Sequence, residues 1–205
     1  MRNRILFVAL PRLNRAVARV ISELDQHGLW DTALQKVEVY LVPAGFAYGW
    51  CWSGSDGYIA IPAVSGARLC EYFRTSYTSL ADVLRHEYGH ALADTHRGLI
   101  GSAQFRDAFG APYDSDKRSA YDPLEHVSEC AASKPSEDFA ESFIFYLKHR
   151  GRLPRRYRVP TIKAKWRFVR QLCGVIRRSS PTRTCRVQAT SLARSPHRAG
   201  PLQGR

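Results

Sequence analysis

Three residues of one short segment have the types and the spacing of a metal site: His86, Glu87 and His90, within VLRHEYGHALADTH at residues 83–96. On a helix, residues i and i+4 share a face, so both histidines can bind one ion. Glu87 points elsewhere and can act as general base toward a water that the ion holds. The pattern favours Zn²⁺, about one per chain, because zinc keeps an open coordination position and lowers the pKa of its water to about 7.

The residues alone leave the third ligand open. His96 follows at the spacing of H-E-x-x-H-x-x-G-x-x-H sites, although Ala93 stands where that pattern has its turn-forming glycine. Glu137 and Glu141, in the segment PSEDFAESF, also lie one helical turn apart. A carboxylate beside an apolar helix face needs a partner. One of these two glutamates can therefore complete the site while the other orients a histidine ring.

The elements that must position these residues follow from hydrophobic periodicity and capping residues. Helices are predicted over 12–28, 80–94, 102–109, 135–151 and 161–176, and strands over 37–43 and 58–62. Ser136 is the expected N-cap of the helix that carries the glutamates. This order predicts an α+β domain in which a small sheet packs against the H-E-x-x-H helix and a second helix with the glutamates.

Charge divides the chain into two parts. The formal net charge is +13, and seven arginines with no acidic residue follow position 176, which leaves +6 for the rest. Residues 1–176 are expected to form one domain. Residues 177–205 are rich in Ser, Pro, Gly and Arg and lack apolar periodicity, so we expect a disordered basic tail. Such a tail can make weak electrostatic contacts with nucleic acid or with another anionic surface.

Composition is that of an ordinary globular protein, with 44% apolar and 24% charged residues. No run of about 18 apolar residues occurs, so no transmembrane segment is expected. The apolar run at residues 5–10 is short for a signal peptide and lacks a cleavage site. Five scattered cysteines form no C-x-x-C pair, which indicates reduced thiols. Together these features favour a cytoplasmic location, with secretion through an unrecognised signal as the alternative.

Two blocks, HEYGHALAD and PSEDFAESFIFYL, resemble the gluzincin metallopeptidases related to the anthrax lethal factor catalytic domain and to the Pro-Pro endopeptidases. They are also similar to small bacterial zinc-binding metallopeptidases that carry both blocks. The resemblance covers roughly residues 37–150 and is specific in the two helices. It implies a zincin-like fold, with Glu137 as the third zinc ligand and Glu141 as the acid that orients a ligand.

One position departs from that family, which has a tyrosine seven residues before the glutamate ligand, where it can stabilise the oxyanion. Here the position is Cys130, and a thiol is a weaker hydrogen-bond donor. Tyr113, Tyr121 and His126 are alternative donors. Losing one oxyanion donor typically costs about 10²- to 10³-fold in rate.

The resemblance implies zinc-dependent hydrolysis of peptide bonds in a peptide or protein substrate, through a zinc-bound water that Glu87 activates. It further implies that the strand formed by Tyr58, Ile59, Ala60 and Ile61 is an edge to which an extended substrate adds. Cys130 supports an alternative function, a zincin-fold binding protein with little or no catalysis.

Overall fold

The structure is a computed structural model that describes residues 8–53, 56–66, 68–69 and 79–179. The described helices are α1 (Leu10–Gln26), α2 (Leu80–Thr95), α3 (Arg97–Ile100), α4 (Ala103–Phe109), α5 (Pro135–Lys148) and α6 (Pro160–Ser179). The described strands are β1 (Glu38–Val42), β2 (Gly49–Ser53) and β3 (Asp56–Pro62). Short 3₁₀ turns cover Leu34–Lys36, Cys130–Ala132 and Arg155–Tyr157. This part of the chain is a mixed α+β fold, as the order of predicted elements indicated.

The strand order in the sheet is β1-β3-β2. β3 pairs parallel with β1 and antiparallel with β2. The residues Tyr58, Ile59, Ala60 and Ile61 therefore lie in the central strand, and the prediction that they form an edge is wrong. The reason is β2, a strand that the sequence pattern did not predict, because its residues GWCWS mix glycine, serine and aromatic side chains. Within the described part of the chain, β2 is an edge of the sheet.

Helix α2 lies at the centre of the core. Thirteen of its sixteen residues are buried, because α1, α5 and the strands β2 and β3 all pack against it. Its start is the predicted one: Ser79 is the N-cap, and its Oγ accepts a hydrogen bond from the backbone N–H of Asp82 at 3.2 Å. Polar residues on α2 therefore project into the interior rather than into solvent.

Helices α2 and α5 approach each other closely at Gly89. A Cβ added to Gly89 would lie 3.3 Å from Ala140 Cα and 3.2 Å from Phe143 Cδ1. The absence of a side chain at position 89 lets the two backbones come this near. The histidine-bearing face of α2 is thereby brought against the glutamate-bearing face of α5.

Two predicted boundaries differ from the structure. The N-cap of α5 is Lys134 rather than Ser136, because Pro135 occupies the first helical turn, where a backbone N–H has no intrahelical partner. Helix α6 continues to Ser179, so Arg177 and Arg178 are helical and do not begin a disordered tail. The rest of the predicted tail, residues 180–205, lies outside the described residues.

Cys51, Cys130 and Cys173 are free thiols, whereas the cysteines at 70 and 185 lie outside the described residues. In the part of the chain that the structure covers, no helix has both the length and the apolar composition that a bilayer crossing requires.

A buried ion pair joins α6 to α5. Lys165 Nζ lies 2.5 Å from Asp138 Oδ2, and each side chain is only 4% exposed. The same ammonium donates to the carbonyl oxygen of Glu125, so it also fastens the long connection between α4 and α5. A lysine that belongs to the apolar face of α6 is thus a structural link among three segments.

The variant Lys165→Ala should destabilise the fold by about 3–5 kcal/mol, because it leaves the Asp138 carboxylate buried without its cation. Urea unfolding followed by circular dichroism measures this. Lys163→Ala is the matched control, since Lys163 is exposed on the same helix, and its loss should leave the free energy of unfolding almost unchanged. Equal stabilities of the two variants would show that the buried pair does not hold α6 in place.

Candidate metal centre

The side chains of His86, His90 and Glu137 converge where α2 faces the first turn of α5. His86 Nε2 and His90 Nε2 are 3.0 Å apart. Glu137 Oε2 lies 3.1 Å from His86 Nε2, and Glu137 Oε1 lies 3.5 Å from His90 Nε2. A tetrahedral ion with bonds of about 2.1 Å separates its ligand atoms by about 3.4 Å. The donor atoms of these three residues therefore fit a single metal ion.

The other ring nitrogens contact oxygen atoms, which orients both Nε2 atoms toward the centre. His86 Nδ1 lies 3.2 Å from Glu141 Oε1, and Ser128 Oγ donates to Glu141 Oε2 at 2.7 Å. His90 Nδ1 lies 2.8 Å from Tyr113 Oη. When each Nδ1 carries the proton and donates it to its oxygen, each Nε2 presents a lone pair. Glu141 and Tyr113 are thus placed to orient one imidazole each.

Burial changes the proton affinities of the centre. It raises the pKa of Glu87 to about 7 and the pKa of Glu141 to about 8, and it lowers the pKa of His90 to about 4. Burial also acts to raise the pKa of Glu137, but the hydrogen bond from His86 and the nearby imidazoles lower it to about 2. In the described part of the chain, none of the three glutamates forms an ion pair with lysine or arginine. A divalent cation is the partner that such a group of carboxylates favours.

Glu87 is held from the edge strand. The backbone N–H of Trp50 donates to Glu87 Oε2 at 2.6 Å. The preceding residue, Gly49, has φ of +87°, and a Cβ there would lie 3.1 Å from the same carboxylate oxygen, so both conformation and space favour glycine. β2 therefore turns its backbone toward the carboxylate that is the candidate general base.

The indole of Trp50 is anchored on two sides. Its Nε1 donates to Asp94 Oδ2 at 2.5 Å, and Arg97 Nη2 lies 2.5 Å from the other Asp94 oxygen. The ring covers Gly57 of β3, where an added Cβ would come within 1.9 Å of Trp50 Cη2. These contacts fix β2 against the C-terminal end of α2 and so fix the N–H that reaches Glu87.

The centre lies in an open cleft of about 830 Å³. Tyr48, Gly49 and Trp50 line it on the β2 side. The connection between α4 and α5 and the first turn of α5 also line the cleft, through Arg118, Glu129, Cys130, Ser133, Lys134 and Ser136. A cleft of this size and openness can admit an extended peptide to the centre.

Cys130 lies beside the third candidate ligand. Its Sγ is 3.6 Å from Glu137 Oε2, and burial raises the pKa of the thiol to about 12. The sulfur is therefore protonated at neutral pH and is a weak hydrogen-bond donor.

The three alternative oxyanion donors do not line the described part of the cleft. Tyr113 contacts His90, Tyr121 is 46% exposed, and His126 is buried. Tyr48 is the phenol that the structure places along the cleft.

His96 does not join the centre. It ends α2, and its Nε2 lies 3.0 Å from Asp31 Oδ2. With alanine at position 93, α2 continues to Thr95 and carries His96 off the face that His86 and His90 share. The geometry gives no support to His96 as the third ligand.

Trp50, Asp94 and Ser128 contribute to the centre although the sequence pattern did not single them out. Asp94 carries a detectable signal, because an acid on the buried helix HEYGHALAD needs a tertiary partner. No local signal marks Trp50 or Ser128, because their partners lie 37 and 13 residues away in the chain.

No protein-family model matches the chain, and comparisons with curated proteins and with solved structures find no significant match. The arrangement of the side chains is therefore the basis for functional inference.

The Glu137 carboxylate should be necessary for metal binding. Purified wild-type protein should contain about one zinc per chain, and Glu137→Ala should contain much less, because two imidazoles alone bind zinc weakly. Elemental analysis of the folded proteins measures this. Glu129→Ala is the control, since Glu129 also lines the cleft but lies outside the ligand group. Full zinc content in Glu137→Ala, or loss of zinc in His96→Ala, would contradict the ligand set.

Trp50→Phe should loosen the backbone N–H that holds Glu87. The change deletes the indole bond and leaves a buried Asp94 oxygen without it, which costs about 1–3 kcal/mol locally. Amide hydrogen exchange at residue 50, measured by NMR, should therefore become roughly ten times faster or more. Trp166→Phe, which deletes an indole bond to the Gly151 carbonyl, should leave that amide unchanged. Unaltered exchange in Trp50→Phe would show that Asp94 does not position β2.

Proposed function

We propose that this chain is a zinc-dependent metallopeptidase of zincin-like fold that hydrolyses peptide bonds. The observation that carries the proposal is the convergence of His86, His90 and Glu137 in an open cleft, with Glu87 beside them. A ligand set of three protein side chains is typical of catalytic zinc sites, which keep one position open, whereas structural sites are closed by four.

A bound Zn²⁺ would polarise the scissile carbonyl and lower the pKa of the attacking water. The protein side chains bind the substrate, orient the metal-binding imidazoles and transfer the proton of the attacking water. Glu87, fixed by the Trp50 N–H at 2.6 Å, accepts a proton from the attacking water and returns it to the leaving amine. Glu141 and Tyr113 keep the imidazoles in the tautomer that presents Nε2. One water is added across the broken C–N bond, so the products are a carboxylic acid and an amine.

The proposed substrate is an extended peptide that lies along β2 rather than along Tyr58–Ile61. β2 is an edge of the described sheet and directs a backbone N–H at Glu87, so a peptide added there would pass the centre. Phe46 and Tyr48, which precede the strand, are 51% and 41% exposed. These aromatic rings offer apolar contacts to substrate side chains next to the scissile bond.

Cys130 favours a second candidate function, a zincin-fold protein that binds peptides with little catalysis. The thiol of Cys130 contacts Glu137 and occupies the sequence position at which the metallopeptidases that this chain resembles have tyrosine. A thiol is a weak hydrogen-bond donor to a developing oxyanion. In this case the cleft and the metal serve recognition, and bound peptide is released intact.

Glu87→Gln should retain zinc but lose hydrolysis by about 10²- to 10⁴-fold, because an amide cannot accept the proton of the attacking water. Turnover of a peptide library followed by mass spectrometry measures the loss, with zinc determined on the same samples. Glu129→Gln makes the same change on an exposed carboxylate of the cleft and should remain active. Full activity of zinc-loaded Glu87→Gln would exclude Glu87 as the base.

Cys130→Tyr distinguishes the two candidate functions. For a peptidase limited by its oxyanion donor, the tyrosine should raise kcat by up to about 10²- to 10³-fold. If neither the wild type nor Cys130→Tyr hydrolyses any peptide while both hold zinc and bind peptides, the binding function is the correct one.

A further inference from the structure

Positive charge is concentrated at the C-terminal end of the chain. Residues 149–205 contain sixteen of the 31 lysines and arginines and none of the 18 acidic residues. Residues 1–148 therefore hold 15 basic residues against 18 acidic ones and are slightly acidic. The whole positive net charge comes from the C-terminal part, and the folded domain contributes to it as well as the tail.

Ten of these cations are exposed in the described structure, nine of them arginines. They are Arg150, Arg152, Arg155, Arg156, Arg158, Lys163, Arg167, Arg170, Arg177 and Arg178, and we call them the basic face. No member has a carboxylate within ion-pair distance among the described residues. The described part of the basic face therefore carries ten positive charges that no carboxylate of the described fold neutralises.

Helical spacing aligns part of the basic face into a stripe. Lys163, Arg167, Arg170 and Arg177 lie at i, i+4, i+7 and i+14 of α6, so their side chains leave the helix on one side. With a rise of about 1.5 Å per residue, the stripe is about 21 Å long. The opposite side of α6 is buried and apolar.

Two of the arginines that precede α6, Arg150 and Arg152, lie beside this stripe. Arg170 Nη2 donates to the carbonyl oxygen of Gly151 at 3.2 Å, which brings the loop with Arg150 and Arg152 against the helix. The guanidinium of Arg156 lies over the ring of Tyr157, 4.7 Å from its centroid. Arg150 and Arg152 thus extend the cationic surface of the helix into the preceding loop.

We propose that the basic face binds the phosphate backbone of nucleic acid. Arginine predominates, and its planar fork donates two hydrogen bonds to a phosphate group. A stripe of cations along about 21 Å matches a row of phosphates rather than a single small anion. In the sequence, five more arginines and no acidic residue follow Ser179, which extends the same charge beyond the described residues.

The alternative occupant, an anionic membrane, fits the structure less well. A helix that lies on a bilayer inserts an apolar face between the lipids. The apolar residues of α6, including Trp166, Val169 and Leu172, are buried against α4 and α5 instead. The exposed side of α6 therefore carries positive charge but no apolar residues that could enter a bilayer. This combination favours a polyanion in solution, such as nucleic acid, over a membrane.

The basic face is separate from the proposed peptidase centre. None of its residues lines the cleft that holds His86, His90 and Glu137. The inference is independent of the proposed hydrolysis, and each can fail without the other.

The test uses full-length protein and a fluorescein-labelled duplex of about 20 base pairs with mixed sequence, followed by anisotropy over a range of salt concentrations. The variant Lys163→Gln/Arg167→Gln/Arg170→Gln should bind at least tenfold more weakly at about 0.1 M salt. The slope of log K against log salt should become less steep by about 2.7, since each phosphate contact contributes about 0.9. A change of duplex sequence should have little effect, because phosphate contacts carry no sequence information.

The matched control is Arg12→Gln/Arg15→Gln/Lys36→Gln, which removes the same charge from exposed positions on α1 and the following turn. It should bind like the wild type, and both variants should keep the wild-type circular dichroism spectrum, which shows that they are folded. Equal weakening in the two variants would mean that net charge or the tail alone binds DNA and would overturn the proposal. No binding to the duplex, with binding to vesicles that contain about 30% phosphatidylserine, would assign the surface to membranes instead.

Discussion

The close contact between α2 and α5 is the constraint on which the candidate metal centre depends. Gly89 lies between the two histidine positions, and a side chain there would meet α5 at 3.3 Å or less. At this separation the imidazoles of α2 reach both Glu137 in the first turn of α5 and Glu141 one turn later. A wider crossing would still bury apolar surface, but it would separate the ligand atoms. Core packing and ligand geometry are therefore set by the same contact.

The edge strand β2 supplies a hydrogen-bond donor for Glu87 that the two packed helices do not supply. A glutamate next to a metal ligand needs a fixed donor to keep its carboxylate directed into the cleft, and the Trp50 backbone provides one. That backbone is fixed because the indole binds Asp94 at the far end of α2. Helix α2 thus carries the candidate base and two candidate ligands, and it also carries Asp94, which secures strand β2. Changes at Asp94 and changes at Glu87 are expected to be energetically coupled for this reason.

The sequence predicted the parts of this molecule that depend on local spacing. The helix with His86 and His90 and the helix with Glu137 both follow from hydrophobic periodicity, although the predicted cap at Ser136 is wrong. Strand β2 could not be predicted, because its glycine and its aromatic residues acquire a strand conformation only by pairing with β3. The same limit applies to Tyr113, which meets His90 from 23 residues away. Where a residue acts through a distant partner, composition and spacing carry no trace of that partner.

The candidate metal ligands lie on helices whose positions are determined by an apolar interface. Phe139 and Phe143 on α5 and Leu84 and Leu92 on α2 are fully buried, so these helices pack through contacts that do not involve the ligands. Small zinc domains differ, because in them the ion supplies most of the folding free energy. If the centre binds zinc as proposed, a chain built in this way would remain folded when the ion leaves and would take it up again. The concentration of exchangeable zinc around the protein, rather than the rate at which the protein is made, would then determine the fraction of molecules that carry zinc.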